Sequence, residues 1–83
     1  MRLKPDHFDI LAAAEIAPIW CNDSIARSFG NGRFGVSGRA LAALTDAGLL
    51  TPFFNDMRAR RGARTWRLTE AGRAALAARR AKA

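Results

Sequence analysis

Arg58, Arg60, Arg61 and Arg64 fall within seven residues. Guanidinium groups at that density do no covalent chemistry of their own. What they do well is pair with phosphate oxygens, singly or bidentately, and displace condensed counterions from a polyanion. The rest of the chain strengthens that reading. Residues 57 to 83 hold nine basic side chains and one acidic, whereas residues 1 to 56 hold five basic and six acidic. The overall excess of +7 therefore sits in the last third of the chain, which points to a polyanionic partner rather than to general solubility. Catalytic chemistry has no comparable support. One cysteine, Cys21, and one histidine, His7, form neither a disulfide nor a zinc ligand set, and no nucleophile stands near a base in sequence. The sequence predicts no enzyme, no cofactor and no metal, with Cys21, Trp20 and Trp66 as core residues and His7 exposed in the first turn of a helix.

The elements that would position these arginines follow from periodicity and punctuation. The chain has 83 residues, 49% of them hydrophobic and 25% charged, enough for a single domain, residues 1–83, around one small core. Near the N-terminus, Asp6, Asp9, Glu15 and Pro18 interrupt the apolar stretch that a signal peptide would need. The same residues suit a helix capped by Asp6 and stopped at about Ala17 by Pro18, with Phe8, Leu11, Ala12 and Ile16 inward. Ile19 to Cys21 reads as a short strand or a buried connector. Asn22 or Asp23 then caps a second helix from Ser24 to Phe29, in which Ile25 and Phe29 share a face, and a glycine-rich turn follows from Gly30 to Gly35. Ser37 caps a third helix over 38–47, with Leu41 and Leu44 inward and Arg39, Ala42, Ala43 and Asp46 outward; Gly48 ends it.

Beyond Leu50 the period changes from helical to alternating. Thr51 to Phe54 and Thr65 to Leu68 read as the two strands of a hairpin, with Pro52 restricting the first to an edge and the cationic segment 55–64 at the tip. Thr69 caps a last, alanine-rich helix with Glu70 in its first turn and Arg79, Arg80 and Lys82 at its negative end. The predicted fold class is mainly α with a small β-hairpin, a winged helix-turn-helix in the order helix-helix-helix-strand-strand-helix.

Three stretches carry a resemblance to a known family: ALAALTDAGLL at 40–50, DMR at 56–58 followed by Arg60 and Arg61, and RLTEAGRAAL at 67–76. Together they resemble the DNA-binding core of the MarR-type transcriptional regulators. The resemblance implies a recognition helix ending in a Gly-Leu pair and a wing braced by Asp56, with Arg58 on phosphate or in the minor groove. On this reading Ser37, Arg39, Arg33, Arg58, Arg60, Arg61 and Arg64 contact nucleic acid. The protein is then a small cytoplasmic double-stranded-DNA-binding protein, a regulator or accessory factor in transcription. A homodimer would use the first and last helices, through Ala74, Leu76, Ala77 and Ala78. The alternative is a protein-interaction module that uses Ala42 and Ala43, such as a phage-encoded inhibitor acting on a host nucleoprotein complex. No membrane partner is expected, since Leu76 is the one large apolar residue in the last helix.

Overall fold

The computed structural model describes residues 2–27, 32–53 and 64–82. In chain order these form α1 (Pro5–Ile16), β1 (Ile19–Trp20), β2 (Ser24–Ala26), β3 (Arg33–Gly35), α2 (Gly38–Asp46), β4 (Leu50–Phe53), β5 (Thr65–Leu68) and α3 (Glu70–Lys82). Two antiparallel sheets result, one of three strands in the order β1-β5-β4 and one formed by the β2–β3 pair. The expected order of three helices, two strands and a helix is therefore incorrect. This is a small α+β fold in which Ser24–Ala26, the start of the segment expected to be the second helix, is a strand; Phe29 lies outside the described residues.

The reason lies in what Asn22 and Asp23 do. Both residue types cap helices and both make tight turns, because their side chains accept bonds from nearby backbone N–H groups in either setting. Here Asp23 Oδ2 accepts from the Trp20 N–H at 2.7 Å, the Asp23 N–H donates to the Trp20 carbonyl at 3.1 Å, and Asn22 adopts a left-handed φ of 71°. The chain reverses instead of starting a helix. The Asn22 N–H then donates to the Val36 carbonyl, and the Val36 N–H to the Asp23 carbonyl, which ties the turn to the far end of β3. Between these anchors Ile25 stands opposite Phe34 and alone in β2 points into the core. The glycine segment is correspondingly not one open turn, since Arg33 to Gly35 pair with β2.

Smaller corrections follow from the same geometry. Helix α1 begins two residues earlier than expected: Lys4 occupies the cap position and Pro5 the first turn, where its missing N–H costs nothing. Asp6 lies inside that turn and pairs with Arg27 at 3.0 Å. The buried stripe of α1 is Asp9, Ile10, Leu11 and Ala14. Ile16, the last residue of the helix, is 87% exposed rather than inward. Cys21 is exposed rather than buried, because it occupies the reversal between β1 and β2. Trp20 is likewise not a core residue, being turned to the outer face of the three-stranded sheet. Trp66 does pack against the core, in part.

His7 is half-buried rather than exposed, and its Nδ1 accepts the Lys4 N–H at 3.1 Å. Burial, and secondly the charge of Lys4, lower its pKa from the ordinary 6.5, against a smaller upward pull from Asp6. Because the folded-state value lies below the unfolded one, the unfolded chain binds more protons near pH 6. The contribution of His7 to stability is thus complete above about pH 6.5 and is lost as pH falls through the folded value. Thermal melts between about pH 8 and about pH 5 should show a loss of stability on acidification that is smaller in His7→Asn. An identical pH dependence in the two proteins would rule this account out.

The remaining elements follow the sequence closely. The Ser37 Oγ accepts the Ala40 N–H at 3.1 Å and so caps α2. Leu41 and Leu44 are fully buried, joined by Ile10, Leu11, Val36 and Leu50 in one core. The hairpin strands are β4 and β5, in register from Leu50 opposite Leu68 to Phe53 opposite Thr65. The last helix packs against α1, where Leu76 is buried and Arg80 pairs with Glu15 at 3.1 Å. Of the residues proposed for a dimer contact, Leu76 is therefore spent on the monomer core, while Ala74, Ala77 and Ala78 stay on the surface.

Candidate nucleic-acid interface

Helix α2 is the element on which a recognition surface would be built, and two features fix its position. At its start, Ser37 satisfies an N–H that would otherwise be unpaired. At its end, the Gly48 N–H donates to the Thr45 carbonyl and the Leu49 N–H to the Leu44 carbonyl, with Gly48 at φ +78°. This pair of bonds is a Schellman motif, which needs a left-handed residue where Gly48 stands.

That helix end is in turn bonded to the start of α3. The Thr69 N–H donates to the Leu49 carbonyl at 3.1 Å, and the Thr69 hydroxyl donates to the Gly48 carbonyl at 2.6 Å while accepting the Gly72 N–H at 3.0 Å. One hydroxyl thus serves two helices, ending α2 and capping α3. Gly72 completes the junction: a Cβ there would lie 2.6 Å from Leu68 Cδ1 and closer still to the Leu49 carbonyl oxygen. Gly48, Leu49, Thr69 and Gly72 belong to the stretches that carry the family resemblance. Their observed work is to lock α2 against the β5–α3 corner.

The sequence-derived contact residues fall into three groups. Ser37 and Arg39 lie in the first turn of α2, both exposed. The Ser37 oxygen is engaged as the cap, which leaves its hydroxyl proton free to be donated. Arg39 joins no ion pair among the described residues. Arg33 stands on β3, exposed, with its Nη1 3.4 Å from the Ser24 carbonyl. Arg64 immediately precedes β5, exposed, with its guanidinium 5.8 Å from the centre of the Trp66 ring. Arg58, Arg60 and Arg61, together with Asp56, lie outside the described residues. Helix α2 packs against β4, the strand that leads into the arginine-rich segment.

The two ends of α2 differ in character. Arg39 is at the N-terminal end, where the partial positive charge of the helix dipole adds to its own. At the other end Asp46 joins Ala43, Ala47, Leu49 and Leu3 around an open, shallow depression. Ala42 is exposed between them and Ala43 half-buried. A polyanion would meet attraction at the first end and repulsion from Asp46 at the second. No group of His, Cys, Asp or Glu side chains among the described residues is placed to hold a metal ion, and no described helix is long and apolar enough to cross a membrane.

Sequence reasoning missed one feature of this surface. Arg67 lies over Phe53 with its guanidinium carbon 3.9 Å from the ring centre. The signal was present in the hairpin register, which makes Phe53 and Arg67 diagonal neighbours on one face once Phe53 is paired with Thr65. Comparison with known proteins adds nothing to these observations: no protein-family profile, curated protein or solved structure matches the chain.

Proposed function

We propose that the protein binds double-stranded DNA, with the first turn of α2 facing the major groove and Arg58, Arg60, Arg61 and Arg64 on the flanking phosphates. The observation that carries this reading is the packing of α2 on β4, the strand that runs in sequence into the arginine-rich segment. The reading does not depend on a two-helix unit. A groove about 12 Å wide admits a single exposed helix, and the hairpin supplies the charge that holds it there. With Ser37 and Arg39 as the donors on α2, base readout is sparse, so most of the affinity comes from phosphate contacts. This suits a regulator or accessory factor in transcription that gains its specificity from an additional contact.

The depression beside Asp46 favours a second reading, in which the C-terminal half of α2 receives a protein. Anisotropy titration of a labelled blunt duplex at two salt concentrations separates the two. If Arg58, Arg60, Arg61 and Arg64 neutralise four phosphates, the logarithm of affinity should fall with the logarithm of salt at a slope near −3.6, about −0.9 for each phosphate. Absence of duplex binding at low salt, or binding indifferent to salt, would remove the DNA reading and leave the protein-partner one.

A further inference from the structure

The β1-β5-β4 sheet has two unlike faces. In an antiparallel sheet, directly paired residues point to the same side, and the side alternates along each strand. Ile19, Trp66 and Pro52 form one row, with Leu50 and Leu68 paired in the row beyond; Ile19, Leu50 and Leu68 are buried in the core. Trp20 and Phe53 both pair with Thr65, from opposite sides, and so share the other face with Arg67 and Thr51. That outer face is unusual for its apolar load. Trp20 is 37% exposed and Phe53 38%, and they are two of the three large hydrophobic residues that stand open to solvent among those described. Their strands flank β5, so the two residues' backbones are about 10 Å apart, two interstrand spacings.

We propose that this outer face is a stacking platform for unpaired nucleotides, with one base on Trp20, the next on the Arg67–Phe53 pair, and the N–H edge of Arg67 receiving the phosphate. Three observations support the assignment. The rings are exposed side by side on a flat element rather than gathered into a pocket, a layout that suits successive planar groups. The Arg67 guanidinium carbon is already held 3.9 Å from the Phe53 ring centre, so the group is positioned at little further entropic cost and its N–H edge remains able to take a phosphate. None of β1, β4 or β5 carries an acidic side chain, and the last third of the chain is the strongly basic part, so the charge is complementary to a polyanion. Duplex bases are stacked on their neighbours and cannot offer a face to such a surface, whereas unpaired ones can. The platform is thus a second nucleic-acid surface, built from residues that the duplex reading does not use, and it stands or falls independently of that reading.

The test compares a single-stranded oligothymidylate of about ten nucleotides with a blunt duplex, by anisotropy and by tryptophan fluorescence. The oligothymidylate should quench the emission of the intact protein. Trp20→Leu and Phe53→Leu, which keep apolar bulk in the sheet, should each weaken oligothymidylate binding by about 5- to 150-fold and change duplex binding by less than about twofold. Trp20→Phe keeps a ring, and should retain oligothymidylate binding while losing most of the quench. Thermal melts of the variants identify any that are unfolded at the assay temperature, and the Trp20→Phe result then decides the matter by itself. Intact protein that fails to bind the oligothymidylate at low salt, or leucine variants that bind it as tightly as the intact chain, would overturn the proposal. A duplex that loses affinity in parallel would overturn it as well, since the face would then belong to the duplex surface. Loss of the blunt-duplex signal alone, with the single-strand results as expected, would instead remove the α2 reading and leave this one standing.

Discussion

Gly72→Ala should destabilise the protein by about 2–3 kcal/mol, although alanine is the better helix former. The intrinsic gain from replacing glycine inside a helix is about 1 kcal/mol. Against it stands the added methyl, which would penetrate the Leu49 carbonyl oxygen and lie 2.6 Å from Leu68 Cδ1. Leu68 could turn aside, although it is itself in the core. The Leu49 carbonyl cannot move alone: it accepts the Thr69 N–H, and the Leu49 N–H closes the Schellman end of α2. Relief therefore requires α3 to shift away from the corner, with loss of the Thr69 bonds and of some packing at Leu76. Overpacking of this kind costs about 1–3 kcal/mol and each lost hydrogen bond about 1 kcal/mol, which outweighs the propensity gain. For a domain of this size the melting temperature should fall by about 10–20 °C. Gly48→Ala is the matched control, because its φ of +78° is strained for alanine but open space surrounds the new methyl; it should cost about 1–2 kcal/mol. A Gly72→Ala protein that melts at or above the parent temperature would show that α3 does not press on the α2 corner.

This corner also shows which parts of the fold were legible in the sequence. Ser37, Gly48, Thr69 and Pro18 each carry a local signal with one dominant meaning, and α2, the start of α3 and the end of α1 appear where those signals put them. The strands β4 and β5 were legible for a similar reason, since alternation on both sides of a polar stretch has few other interpretations. Residues 22–35 failed because Asn22 and Asp23 signal a cap and a turn with equal force. The i, i+4 pair of Ile25 and Phe29 is too short a pattern to decide between them. What decided was non-local: Ile25 faces Phe34 across the β2–β3 pair, and Val36 bonds back to Asn22 and Asp23. The outer face of the large sheet was illegible on the same ground. Trp20 reaches it only because β1 pairs with β5, more than forty residues further along the chain. At the candidate interface, Ser37 and Arg39 stand on the helix expected of them and Arg64 lies, as expected, just before the second hairpin strand, but Arg33, expected in a turn, belongs to β3.

Neutralising Arg58, Arg60, Arg61 and Arg64 together by Gln substitution should weaken duplex binding about 100-fold at low salt and remove most of its salt dependence. The expectation follows from counterion release: four phosphate contacts at about −0.9 each account for a change of about 150-fold over a fourfold change in salt. Each single substitution should flatten the slope by about 0.9 and weaken all duplex sequences alike, because phosphate contacts carry no sequence information. Arg39→Ala should behave differently. Its exposed position in the first turn of α2 suits bidentate contact with a guanine edge, so its removal should cost about 1–3 kcal/mol on preferred sequences and little on others. The salt slope would then change by at most about one, if Arg39 also reaches a phosphate. The contrast tests how binding is divided between α2 and the hairpin. Should the fourfold variant bind a duplex as tightly as the parent, with an unchanged slope, the hairpin would have no part in DNA binding. If Arg39→Ala weakened all sequences equally, α2 would be a phosphate-binding element, and the base readout assigned to it would have to be abandoned.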